Sequence, residues 1–165
     1  MKNQEIERKW MTEGFPDLPF ESEELQTQGY LAFDPVTVRI RKVEWPGTDR
    51  PAARFITVKG GGTLARTEVE LPMDQGQFDA LWPLLAAPGA TKRLRRYKLP
   101  DGRELECSHV DETEPTAFFY AEVEFDSLAE AEAFDPPAGL SLGREVTDEP
   151  GQSMSAYCRA KGAES

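Results

Sequence analysis

Glu5-Ile6-Glu7-Arg8-Lys9, followed at once by Trp10, is the stretch on which the fold turns. Successive side chains of a β-strand point to opposite faces, so Glu5, Glu7 and Lys9 share one face while Ile6 and Arg8 take the other. Turned toward an ordinary core, such a row is costly, because like charges repel and every buried charge needs a partner. Two arrangements meet the need. Either the strand is an edge whose charged face is solvated, or the glutamates hold a hard divalent cation such as Mg²⁺ or Mn²⁺ beside a lysine that meets a phosphate. The pentapeptide alone leaves both open.

Repetition narrows the choice. Thr37-Val38-Arg39-Ile40-Arg41 puts two arginines on one face, Phe55-Ile56-Thr57-Val58-Lys59 ends in a lysine, and Arg66-Thr67-Glu68-Val69-Glu70 groups Arg66, Glu68 and Glu70. Glu104-Leu105-Glu106 and Ala121-Glu122-Val123-Glu124-Phe125 repeat the carboxylate pair. All read as strands by period and β-branched content. If the charged faces look inward, Ile6, Val38, Ile40, Val58, Val69, Leu105, Val123 and Phe125 face outward and need covering by helices or a partner. A closed antiparallel barrel with a polar lumen satisfies both demands, since closure removes edges and alternation separates lumen from exterior. The fold class expected is α+β, mainly β.

At 165 residues the chain can bury roughly 70% of its unfolded surface and is read as one domain over residues 1–165. Cys107 and Cys158 are too few for a disulfide framework, and no signal-like segment or apolar run of about 18 residues is present. A reduced, cytoplasmic chain with no membrane partner is the expectation. A formal net charge of −11 argues against nucleic acid as main partner but not against a small polyanion. The basic residues gather in the strand rows and in Lys92-Arg93-Leu94-Arg95-Arg96, so a cationic lumen can sit inside an acidic shell.

Helices are few. Asp74 is placed to cap a helix from Gln75 to about Leu85, kinked at Pro83; Asp126 or Ser127 caps a shorter one through Phe134; a third runs from about Ser153 to Ala160. Gly60-Gly61-Gly62 and Pro100-Asp101-Gly102 read as turns. His109 lacks companions for a metal or triad role, Cys107 reads as packing, and Trp10, Trp45 and Trp82 as core or rim.

With these motifs in order, the chain resembles the CYTH-domain, or triphosphate tunnel metalloenzyme, family in its short bacterial form. The matching runs are EIERKW from Glu5, QGYL at Gln28–Leu31, TVRIR at Thr37–Arg41, ITVKG at Ile56–Gly60, Arg66 to Glu70, AEVEF at Ala121–Phe125 and GREVT at Gly143–Thr147. The resemblance implies an eight-stranded antiparallel β-barrel, a tunnel, with a few covering helices. It implies Mg²⁺ or Mn²⁺ on Glu5, Glu7, Glu68, Glu70, Glu106, Glu122, Glu124 and Glu145. Lys9, Arg39, Arg41, Lys59, Arg66 and Arg96 are expected on phosphate oxygens, and Lys92, Glu122 and Glu124 in the chemistry; Tyr30 either faces the lumen and touches the leaving phosphate or is a buried tyrosine with a satisfied hydroxyl. Hydrolysis of inorganic triphosphate is the activity implied first; thiamine triphosphatase or adenylyl cyclase activity, and a tunnel that binds polyphosphate or nucleotide without turnover, are the alternatives.

The chain departs from the family pattern at three places. Its K-x-R-Y element appears as Lys92-Arg93-Leu94-Arg95-Arg96-Tyr97, so either Lys92 or Leu94 occupies the lysine position. The following E-x-D matches Glu104-Leu105-Glu106 or, in the other register, Glu106-Cys107-Ser108. Gln152 and Met154 stand where a tyrosine and an asparagine are common.

Overall fold

The computed structural model describes residues 3–163. Nine strands form the body: β1 (Gln4–Thr12), β2 (Ser22–Ala32), β3 (Thr37–Glu44), β4 (Ala53–Lys59), β5 (Ala65–Pro72), β6 (Ala90–Lys98), β7 (Glu104–Val110), β8 (Phe118–Glu124) and β9 (Leu142–Glu145). They hydrogen-bond in the order β5-β4-β3-β2-β6-β7-β8-β1-β9, all antiparallel. A further pairing of β5 with β1, at Gln4 with Thr67, Glu5 with Arg66 and Ile6 with Ala65, closes the first eight into a barrel.

The ninth strand was not expected, and its cause is local. After Ile6, β1 parts from β5, which would leave backbone groups unpaired along that edge. The gap is filled piecewise. Glu7 N donates to Leu64 O (3.1 Å), Lys9 N to Thr147 Oγ1 (3.0 Å) and Val146 N to Lys9 O (2.8 Å). Trp10 and Thr12 then pair with Glu145 and Leu142 of β9. The Gly143–Thr147 motif is thus an edge patch for β1.

Polarity is inverted relative to an ordinary barrel. Ile6, Trp10, Leu105, Val123 and Phe125 face outward and are buried in a cluster completed by Ala131 of helix α2 (Leu128–Ala133), Leu140 and Phe134. Phe125 and Phe134 meet edge to face at 5.2 Å between centroids. On the opposite side Val58, Val69 and Leu71 are 37%, 40% and 56% exposed among the described residues.

Helix α1 (Gln75–Leu81) begins with a reciprocal capping box between Asp74 and Gln77. It gives way to a 3₁₀ turn at Trp82–Leu84, because Pro83 has no N–H to continue the α ladder. Leu85 then lies over Gly29, whose missing Cβ would sit 2.4 Å from the Leu85 Cδ1. Ser127, not Asp126, caps α2. Among the described residues no helix is long and apolar enough to cross a membrane.

Helix α3 (Met154–Ala163) seats on one end of the barrel and ends three residues beyond its expected stop. Met154 and Cys158 pack on Tyr30, Ala90, Val110 and Tyr120. Asp111 anchors it from the barrel. The carboxylate is buried and accepts from Tyr157 Oη (2.5 Å), Lys161 Nζ (2.9 Å) and Thr91 N (2.9 Å).

Burial opposes ionisation of Asp111, yet these donors hold its carboxyl below the ordinary value. A depressed folded-state value contributes stability above the unfolded carboxyl pKa of about 3.9, lost as pH falls through the folded value. Asp111→Asn should therefore cost about 2–3 kcal/mol at pH 7, the scale of a hydrogen bond to charge. Urea unfolding of both proteins from pH 7 to pH 3 should show the difference shrinking below about pH 4.

Candidate active site

The lumen is a cavity of about 860 Å³ walled by the inward rows of the strands. Glu5, Glu7 and Lys9 enter it from β1, with Glu122 and Glu124 beside them on β8. Register sets the contacts. Glu7 lies opposite Glu124 and Lys9 opposite Glu122; Glu122 in turn faces Glu106 on β7, and Glu106 faces Arg96 on β6.

Glu5, Glu7 and Glu124 each offer a carboxylate oxygen, and these atoms lie within 4.8 Å of one another. Burial, Glu122 and Glu5 push Glu7 well above the ordinary carboxylate value. Burial and then Glu106 raise Glu124 to about 7. Three carboxylates so close stay ionised together only when a cation neutralises them. Their all-oxygen donor set suits Mg²⁺ or Mn²⁺, so these residues fit the divalent metal that the motifs imply. Glu5 differs. Burial disfavours its ionised form, but the Lys59 ammonium at 2.8 Å overrides that and lowers its value.

Cations line the rest of the wall, beginning on the strand next to β1. Arg39 and Arg41 point in from β3, Lys59 from β4, Arg66 from β5, Lys92 and Arg96 from β6. Arg66 reaches Glu7 at 3.0 Å and Glu5 at 3.5 Å. Arg39 bonds Thr57 Oγ1 at 3.2 Å, and that hydroxyl donates to Glu70 at 3.0 Å. Arg41 Nε donates to Gln28 Oε1 at 2.9 Å. Burial and then Arg39 bring Arg41 down to about 10. Burial and then Arg41 depress Lys92 strongly, and burial lowers Lys9. Burial would raise Glu122, but Lys9 and a hydrogen bond from Glu7 bring it down to about 2. These cations suit a polyanion once a metal offsets the carboxylates beside them.

Strand β6 turns one phase of its side chains inward. Lys92, Leu94 and Arg96 all fall on the lumen wall, but only Lys92 and Arg96 present charge there. Arg96 pairs with Glu24 and stands 3.5 Å from Glu106 and 3.6 Å from Glu104. Glu106 lines the cavity, while Ser108, its neighbour along the inward row, is fully buried. Glu68 and Glu70 line the wall outside the tight trio, and Tyr30 sits near the α3 end.

Glu145 requires a correction. It lies outside the lumen, where Arg8 grips it through Nε (2.8 Å) and Nη2 (2.7 Å) and Thr147 Oγ1 donates to it (2.6 Å). Arg8 points outward by strand parity, so its partner must be outside too. His109 is likewise external, stacked on Phe119 at 3.9 Å between centroids. Cys107 is buried on the outer face, which pushes its thiol up to about 12. Gly60, Gly61 and Gly62 form a turn bordering the cavity; Gly62 has φ +124°, and a Cβ there would lie 2.3 Å from Ala65 O.

Several lumen groups carried no assigned role in the sequence. Thr57 is two residues before Lys59 and Tyr120 two before Glu122, so strand parity alone locates both. The Gln152 carbonyl, which accepts from Lys9 Nζ at 2.5 Å, left no such trace, since a backbone atom in a turn has no sequence signature.

No protein-family model matches the sequence. A curated relative named inorganic triphosphatase, from Nitrosomonas europaea, is 38% identical over 149 residues, spanning 88% of this chain and 90% of the relative. A crystal structure described as an inorganic triphosphatase superposes with a TM-score of 0.62 at 32% identity, covering 93% of each chain. A protein from Pyrococcus horikoshii shares the fold, with a TM-score of 0.57 at 19% identity over 78% of this chain and 82% of its own. Identity at that level across nearly the whole chain, joined to a closed barrel with carboxylates and cations in one lumen, means that the chain belongs to the CYTH-domain family of triphosphate tunnel metalloenzymes.

Proposed function

We propose that this protein hydrolyses inorganic triphosphate in its lumen with the help of Mg²⁺ or Mn²⁺. One observation carries the reading: the Glu5, Glu7 and Glu124 cluster opens onto the same cavity as Arg39, Arg41, Lys59 and Arg66. The name of the curated relative supports the choice of substrate.

The basic side chains bind the phosphate oxygens and hold the chain of phosphates in line with the attacking water. Glu5, Glu7 and Glu124 would hold the metal, which when bound supplies a Lewis acid for phosphate oxygens. Glu122, kept ionised by its lysine neighbours, accepts a proton from the water as its oxygen bonds to the terminal phosphorus. The bridging P–O bond breaks, and pyrophosphate leaves with a proton from Lys92. Arg39 and Arg66 stabilise charge on the transferred group, where electrostatics does most of the work, while Arg41 holds the phosphates in the ground state. Arginine cannot replace Lys92 in that step, because a guanidinium keeps its proton.

A second reading, binding without turnover, draws on Leu94 and Ser108, two inward positions that hold no charge. Phosphate release with tripolyphosphate, ATP and thiamine triphosphate separates the two. Turnover should need Mg²⁺ or Mn²⁺, vanish with EDTA, and be at least about tenfold faster on tripolyphosphate. Calorimetric binding with no phosphate released would favour the binder.

Glu7→Gln should lower kcat at least about a hundredfold while the melting temperature stays within about 5 °C. Unaltered turnover would remove Glu7 from the metal set. Arg41→Ala should chiefly raise KM for tripolyphosphate, by about tenfold, as expected when a ground-state phosphate contact is lost.

A further inference from the structure

The Lys92 ammonium is deep in the lumen on a flexible four-carbon stem, and among the described residues no carboxylate lies within 4 Å of it. Its hydrogen-bond partner is Tyr120, whose hydroxyl accepts from Lys92 Nζ at 2.6 Å. Tyr120 is 1% exposed and Lys92 5%. The same ring meets a second cation: Lys9 Nζ lies 4.1 Å from its centroid. Lys9 is itself tethered to the Gln152 carbonyl. One aromatic side chain therefore stands between two lumen ammoniums, touching one through its hydroxyl and the other through its face.

The neighbouring positions explain why the contact falls there. Across the inward row, Tyr120 pairs with Ser108 and Ser108 with Leu94, so neither neighbour on that row reaches Lys92 with a charge. Val110, directly opposite Lys92, is apolar. The phenol is long enough to span the row. Its backbone is fixed in the middle of β8 and its ring is wedged against Met154 and Cys158 of α3. A carboxylate in its place would neutralise the ammonium and compete with the substrate for it. A phenol restrains the nitrogen and leaves its charge available.

We propose that Tyr120 is a positioning residue that holds the Lys92 ammonium at the leaving oxygen of the triphosphate. This rests on the triphosphatase reading above. Displacement of a proton donor by about 1 Å costs on the order of a hundredfold in rate, so the loss belongs in kcat and not in KM.

The test is a cycle of Tyr120→Phe, Lys92→Met and the double variant, assayed on tripolyphosphate with Mg²⁺. Tyr120→Phe should lower kcat at least about tenfold with KM within about twofold. Added to Lys92→Met it should cause no further loss, because both act through one ammonium. Unchanged kcat, a matching rise in KM, or losses that multiply would overturn the proposal. A second readout needs no turnover: NMR of the lysine side-chain nitrogens in metal-free protein. In the parent protein the Lys92 ζ protons should exchange more slowly than those of exposed Lys98, and Tyr120→Phe should abolish the difference. Equal exchange in the parent would overturn the restraint even if Tyr120→Phe did not fold. If the parent protein releases no phosphate, the triphosphatase reading fails by itself, while the exchange rates still decide whether Tyr120 restrains Lys92.

Discussion

Crowded negative charge at the junction of β1 and β8 is the constraint to which everything else answers. Glu5 and Glu7 are under a tenth exposed, with Glu122 and Glu124 on the adjacent strand. Isolated carboxylates in such a place would be protonated or would break the fold. Here they are met by Arg66 on the adjoining β5, by Lys59 on β4 beyond it and by Lys9 from their own strand. Only a closed sheet brings β5 and β8 to either side of β1, so closure and charge balance are one requirement. The balance is incomplete, since Glu7 and Glu124 remain shifted upward. A divalent cation would complete it.

A polar lumen cannot supply the cohesion of a domain, and that role passes to the outside. The cluster under α2 takes the outward residues of β1, β7 and β8, and α3 takes the inward residues at one end. These helices are short, with few apolar faces of their own. Their value lies in what they cover. The ionic network inside contributes position more than stability, since desolvation offsets much of the Coulombic gain.

Strand parity made the lumen legible. Lys9, Arg39, Lys59, Arg66 and Glu122 come together because each sits at an inward phase of its own strand, and alternation of two is the one periodicity a strand enforces. What parity does not carry is which segment lies beside which. Glu145 has the right chemistry and sits in a family motif, yet its strand pairs with the outer course of β1, and Arg8 claims it. The ninth strand has four residues, too few to display a pattern. Where α1 ends depended on the Pro83 geometry and α3 ran past its expected stop, as helix termini follow tertiary seating more than local sequence. Parity does not separate Lys92 from Leu94, because both have the same phase and both line the wall; of the two, only Lys92 offers a proton there.

The divided edge of β1 orders events in time. Its first residues pair with β5, its middle receives bonds from residues 64, 146 and 147, its last residues pair with β9, and its other edge pairs with β8. Within the barrel β1 precedes all of these partners, and its bond to Thr147 Oγ1 spans 138 positions, so its pairing is complete only when that later segment is present. Contacts of such span are slow to form and leave β1 waiting. Its alternating charges suit that wait, because a strand bearing Glu5, Glu7, Arg8 and Lys9 resists annealing to another nascent chain. The residues that shape the lumen thus also guard the chain before the lumen exists.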